Sequence, residues 1–168
     1  MADPQRAEEM AFGYCLRRLT GAARSEHDLR SKLRERGYED GAIDAVLKRL
    51  RRAGYVDDVA YAQQWVRSRS VTKSLAAPML RQELRQKGIA DDLIEDALST
   101  VVGAGEDERA RALLRRKAPN SIPTDRAERD RVARRLGAML ARKGYSSSRA
   151  WSLVNEVLSE GVDEASCR

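Results

Sequence analysis

Eight positions recur three times along this 168-residue chain in one unbroken register. They read Leu29, Leu33, Gly37, Tyr38, Ile43, Val46, Leu47 and Leu50. Fifty-one residues on they read Leu80, Leu84, Gly88, Ile89, Ile94, Ala97, Leu98 and Val101. At 107 residues from the first set they read Leu136, Leu140, Gly144, Tyr145, Ala150, Leu153, Val154 and Val157. Each set is an apolar pair one helical turn apart, a glycine, a Tyr or Ile, and then an apolar stripe spaced i, i+3, i+4, i+7. A period of about 50 residues marks a tandem helical array and favours an extended binding surface over a central active-site cleft. A unit of this size alone buries only roughly 60% of its unfolded surface, so the units must lean on one another or on a partner.

Each unit reads as three helices. In the first, Phe12, Cys15, Leu16 and Leu19 define one apolar stripe. Ser25 opens the second helix, its hydroxyl accepting from first-turn N–H groups, and Asp28 sits near the positive helix end. Gly37 ends it, because the left-handed turn past a helix end is easy for glycine and strained for other residues. A third helix runs from about Asp40 to Ala53, and Gly54 closes the unit. The second unit opens with Asp57 or Asp58 as cap and carries Tyr61, Ala62, Trp65, Val66 and Arg69 on its first helix. Its second helix spans about Leu75 to Lys87, with Pro78 in the first turn where a missing N–H does least harm. Its third spans about Asp91 to Val102, and Gly103-Ala104-Gly105 reads as a flexible joint. The last unit runs Glu106 to Lys117, a loop bracketed by Pro119 and Pro123, a helix from about Arg126 to Lys143, and a helix from Ser146 to near Glu160. The expected fold is all-α: three three-helix bundles, residues 1–56, 57–105 and 106–160, in an elongated, curved array with a disordered tail over 161–168. Leu33, Leu84 and Leu140 should be equivalent buried positions, and glycines 37, 88 and 144 should have positive φ.

Lys and Arg outnumber Asp and Glu by 32 to 26, a net charge of +6. The excess is uneven: +3 over residues 1–56, −1 over 57–105 and +4 over 106–168. Arginine's planar fork suits phosphate and carboxylate, which points to an anionic partner; solvated helix faces are the alternative source of such charge. The two cysteines, Cys15 and Cys167, lack CxxC spacing or companion histidines, so a reduced, cytoplasmic protein without disulfides or zinc is expected. No signal-peptide h-region or membrane-length apolar run is present, and no membrane partner is expected.

Catalysis has little to work with. His27 is the only histidine, and no nucleophile sits beside a base in a recognisable motif, so an enzyme is not expected. Asp57-Asp58 and Asp91-Asp92 open helices, where carboxylates cap rather than bind metal. Gly103-Ala104-Gly105 lacks the strand and the Lys-Ser or Lys-Thr of a phosphate loop, and no cofactor is indicated. Cations concentrate on the second helix of each unit and its end: Arg30, Lys32, Arg34 and Arg36; Arg81, Arg85 and Lys87; Arg134, Arg135, Arg142 and Lys143. Acids gather at the start of the third helix, as Glu39, Asp40 and Asp44 and as Asp91, Asp92, Glu95 and Asp96. Helix dipoles favour this polarity, but they do not explain its repetition on one element of each module. These residues are therefore the candidate surface for a phosphate backbone or an acidic polymer. Tyr38, Tyr61, Trp65 and Tyr145 fall on apolar stripes and read as core, with base stacking the alternative.

The segment Gly54-Tyr55-Val56-Asp57-Asp58-Val59-Ala60-Tyr61-Ala62, with Arg24-Ser25-Glu26-His27-Asp28-Leu29-Arg30-Ser31-Lys32-Leu33 and Leu80-Arg81-Gln82-Glu83-Leu84-Arg85-Gln86-Lys87-Gly88-Ile89, resembles the RecX family of bacterial regulatory proteins. The likeness spans roughly residues 10 to 158. It implies three tandem three-helix bundles, no catalysis, binding in the deep groove of the RecA–DNA filament, and inhibition of RecA strand exchange, ATP hydrolysis and coprotease function. A monomer, with possible direct contact to single- or double-stranded DNA, follows from the same reading. Two departures from the family pattern stand out. Where the family usually has a Gly and basic residues ahead of Gln82-Glu83-Leu84, this chain has Ser74-Leu75-Ala76-Ala77-Pro78, and its Ser25-x-x-Asp28-Leu29 carries the shorter acid. The competing readings are a stand-alone helix-turn-helix DNA binder and a scaffold without nucleic-acid contact.

Overall fold

The computed structural model describes residues 4–166, and every regular element among them is an α-helix. In chain order these are α1 (Pro4–Gly21), α2 (Glu26–Glu35), α3 (Asp40–Arg52), α4 (Asp58–Lys73), α5 (Ala77–Gln86), α6 (Asp91–Ser99), α7 (Ala104–Lys117), α8 (Arg126–Arg142) and α9 (Ser147–Ser166). They form three successive triplets, so the all-α helical repeat read from the sequence is the fold.

The lattice buries as a set. Leu29, Leu33, Leu80, Leu84 and Leu140 are fully shielded, as are Ile43, Leu47, Leu50, Ile94, Leu153 and Val154. Tyr38 and Val101 alone among the lattice's apolar positions stay half-buried. Removing each large aliphatic side chain from water contributes roughly 1.5–3 kcal/mol. Sequestration of the first helices repeats as well, through Ala11 and Cys15, then Ala62 and Val66, then Ala110 and Leu114. The expected stripe of Phe12, Leu16 and Leu19 is only half-buried; α1 packs on α3 with the small Ala11 and Cys15 facing inward. Burial raises the Cys15 thiol to about 11, so it stays protonated at neutral pH and serves as packing.

Glycines 37, 88 and 144 have φ of 80, 71 and 95°, as expected. Each closes the same pair of hydrogen bonds. Gly37 N–H donates to the Arg34 carbonyl and Tyr38 N–H to the Leu33 carbonyl; Gly88 with Ile89 and Gly144 with Tyr145 repeat both bonds on their own helices. This double closure brings the residue after glycine back over the last turn of the helix, which accounts for the recurring Leu-x₃-Gly-Tyr/Ile pattern.

Three boundaries differ from expectation. Helix α6 stops at Ser99 rather than Val102, and the Val101 carbonyl beyond its end accepts from the Arg109 guanidinium at 2.9 Å. Gly103, at φ 102°, turns the chain directly into α7, so Ala104 and Gly105 belong to a helix and not to a joint. Helix α9 continues through Ser166, past Glu160; of the tail expected to be disordered, residues 167–168 lie outside the described residues.

The chain divides into two compact units, one taking it up to Trp65 together with Gln82–Ala97, the other Val66–Arg81 together with the chain from Leu98 on. Repetition and compactness thus partition the molecule differently, with α4, α5 and α6 belonging in part to each unit. A repeated junction lies in each. In the first unit the Ser25 hydroxyl donates to the Lys87 carbonyl at 2.7 Å, the Glu26 N–H donates to Asp58 Oδ1 at 2.9 Å, and Gly88 lies against His27. In the second, Ala76 N–H donates to the Lys143 carbonyl at 2.9 Å, Ala77 N–H donates to Glu106 Oε1 at 3.4 Å, and Gly144 lies against Met79. The start of one module's second helix therefore docks on the end of the next module's second helix and is capped by an acid from that module's first.

Candidate partner-binding surface

The predicted cations all lie on α2, α5 and α8 or just past their ends, with Arg36 and Lys143 as the C-cap residues of α2 and α8. Their electrostatic states differ sharply by module. On α2, Arg30 is held by Asp44 at 2.7 Å and by Glu26 at 3.5 Å, and Lys32 by Glu35 at 2.7 Å. The Asp44 hydrogen bond raises the Arg30 guanidinium above its already high ordinary value, keeping the charge fully formed but engaged. Arg34 pairs with Asp40 at 2.8 Å, and 51 residues on Arg85 pairs with Asp91 at the same 2.8 Å. The hydrogen bond from Arg34 in turn lowers the Asp40 carboxyl below its ordinary range. Arg81 is also engaged.

The residues at the helix ends repeat a second device. Arg36 lies over the Tyr14 ring at 4.4 Å, and Lys87, 51 residues on, lies over the Trp65 ring at 5.3 Å. The Trp65 indole N–H also donates to Glu83 Oε2 at 2.8 Å, and its ring stacks on Tyr61 with centroids 5.8 Å apart. Trp65 is thus a half-buried platform for a cation rather than the core residue its stripe suggests.

Helix α8 lacks such partners. Its Arg134, Arg135 and Arg142 are exposed, and among the described residues no carboxylate pairs with them or with Arg126, Arg129 and Arg131 on the same helix. The physical reason is legible: the positions equivalent to the Arg34–Asp40 and Arg85–Asp91 pairs are Ala141 and Ser147. Arg126, Arg129 and Arg131 belong to the unpaired set although they fall outside the repeat lattice. Their signal in the sequence was the cation density of one helix with few acids. Lys143 is different again, its ammonium donating to the carbonyl of Lys73.

The remaining chemistry of the chain is structural. Asp57 caps α4 by accepting the Ala60 N–H at 2.9 Å, which settles the choice between it and Asp58; Asp58 instead caps α2. Among the described residues no group of three His, Cys, Asp or Glu could hold a metal ion, and no helix is long and apolar enough to cross a membrane.

Tandem three-helix modules with a cationic second helix define the class to which the comparisons attach a family. The family model for the first three-helix domain of RecX matches residues 11–50, and that for the second three-helix domain matches residues 57–98. The regulatory protein RecX of Mycobacterium sp. (strain KMS) is 42% identical over 154 residues, covering 91% of this chain and 84% of its own. That of Streptomyces coelicolor is 41% identical over 157 residues, covering 94% and 82%. A crystal structure of a regulatory protein RecX superposes with a TM-score of 0.71 at 30% identity, over 91% of this chain and 73% of that one. The crystal structure of RecX from Lactobacillus salivarius shares the fold at a TM-score of 0.78 and 22% identity, over 91% and 97%. The chain belongs to the RecX family of regulatory proteins.

Proposed function

We propose that this protein regulates RecA, binding the RecA–DNA filament through the cations of its second helices and inhibiting strand exchange, ATP hydrolysis and the coprotease function. It acts by binding alone, as a monomer in the cytoplasm, with three tandem modules, no cofactor and no catalytic step. The observation that carries this reading is the row of exposed, unpaired arginines on α8, in a family whose curated members are named regulatory proteins. Unpaired arginines retain their full field for phosphate or an acidic groove, whereas paired ones must first break an ion pair. The competing helix-turn-helix reading needs a third helix rich in Asn, Gln, Arg and small residues; α6 carries Asp91, Asp92, Glu95 and Asp96 with no cation, and on α3 Arg49 and Arg51 are engaged by Glu9 and Glu26.

The test is RecA ATPase activity on single-stranded DNA, measured with and without the protein. Inhibition is expected, with Arg134→Glu plus Arg135→Glu weakening it about tenfold, or 1.4 kcal/mol. The melting temperature should hold, because exposed charges contribute little to folding. ATPase activity unchanged at saturating protein would overturn the reading, and full inhibition by the double variant would remove α8 from the contact surface.

A further inference from the structure

Three helices of the second unit end in cations, and the charges of those on α4 and α7 reach the one that caps α8. Lys73 ends α4, Arg116 and Lys117 end α7, and Lys143 caps α8. The Lys143 ammonium donates to the Lys73 carbonyl and so ties the end of α8 to that of α4. Just past Lys73, Ser74 adopts a left-handed φ of 50°, a conformation strained for any residue with a Cβ. That turn aims the Ala76 N–H at the Lys143 carbonyl and holds the corner in place. Burial, and then the charges of Arg116, Lys73 and Lys117, push the Lys143 pKa below the ordinary lysine value.

Helix dipoles explain only part of this clustering. Three helix ends supply roughly −1.5 charges, about −0.5 each, against four cations, which leaves an excess of roughly +2.5. Nor does the unit lack acids. Just before them on α7, Arg111 is held by Glu108 and Glu156, and Arg115 by Glu108 and Glu160. The pairing stops there: among the described residues no carboxylate pairs with Arg116, Lys117 or Lys73.

We infer that the ends of α4, α7 and α8 form an anion-binding corner that holds the phosphodiester backbone of a nucleic acid. Arg116 supplies a planar fork for two phosphate oxygens, and the lysines supply point charges around it. The inference deepens the filament-binding reading and rests on it for its setting, naming the nucleic acid rather than the protein of the filament as what this corner touches.

The experiment is fluorescence anisotropy of a labelled single-stranded oligothymidylate titrated with the intact protein, RecA being absent, over a series of salt concentrations. Removing two phosphate contacts with Arg116→Gln plus Lys117→Gln should weaken binding about tenfold and lower the log–log salt slope by about 1.4, at about 0.7 per contact on a single strand. The melting temperature should stay unchanged. The control removes the same charge from the same helix at paired residues, Arg111→Gln plus Arg115→Gln, and should weaken binding much less. Equal losses in the two variants, no loss in the first, or no oligonucleotide binding by the wild type at low salt would each overturn the inference. Loss of RecA inhibition with oligonucleotide binding intact would also overturn it, by assigning the corner to a protein contact, while leaving the filament reading standing.

Discussion

The two compact units are built around the same junction from different chemistry. In both, the start of a second helix meets the glycine-closed end of the next second helix. The first junction uses a buried Ser25 hydroxyl as donor, His27 as the side chain under the glycine and Asp58 as the cap. The second uses the backbone N–H of Ala76, Met79 and Glu106 in the same roles. What the pair teaches is that the junction needs a donor for one carbonyl, a residue without Cβ at the helix end and an acceptor for one orphan N–H. The identities of the donor and acceptor are free. Charge divides differently: the α2 cations close onto carboxylates, whereas those of α8 stay open.

The largest test of the equivalence lies in the cores. Leu33→Ala and Leu140→Ala remove side chains that are 0% exposed in each unit, and each should lower stability by about 2–5 kcal/mol in urea denaturation. A loss at one position far below the other would break the equivalence of the two units.

A smaller effect separates helix closure from the junction. Gly37 has φ 80° with nothing within 4 Å of an added Cβ, so Gly37→Ala should cost about 1–2 kcal/mol from backbone strain alone. At Gly88 the new Cβ would lie 2.2 Å from His27 Cγ, and at Gly144 it would lie 2.9 Å from Met79 Cβ and 3.0 Å from its backbone N. Gly88→Ala and Gly144→Ala should therefore both lose clearly more than Gly37→Ala. Equal losses at all three would mean that the junction yields and only the turn matters.

The smallest effect concerns the cap. Asp58→Ala should cost about 1 kcal/mol by orphaning the Glu26 N–H, whereas Asp58→Asn keeps an acceptor there. Burial raises the Asp58 carboxyl above its ordinary 3.8, so its ionised form opposes folding at neutral pH and that penalty fades as pH falls to 3.8. Asp58→Asn should accordingly be at least as stable as the wild type at neutral pH, with the difference vanishing under acid. A wild type that gains its advantage only at neutral pH would sink this assignment.

Periodicity alone determined the repeat, the burial of its leucines and the positive φ of its glycines, because each follows from local helix geometry and from the apolar surface a helix must hide. Placement of the cations on α2, α5 and α8 was legible for the same reason. Which of them remain available was legible only in part, through Ala141 and Ser147 standing where the other repeats place an Arg–Asp pair. That depends on carboxylates six or fourteen residues away, such as Asp40, Asp91 and Asp44, and on the rings of Tyr14 and Trp65, whose approach only the packed triplets establish. The second reason for Gly88 and Gly144 was equally hidden, since a capping glycine and one pressed by a neighbouring helix look alike in sequence. Local spacing specifies helices and their faces; which charges are held is decided by how neighbouring helices pack, and the contacts that join one module to the next exist only once residues some 60 positions apart have met.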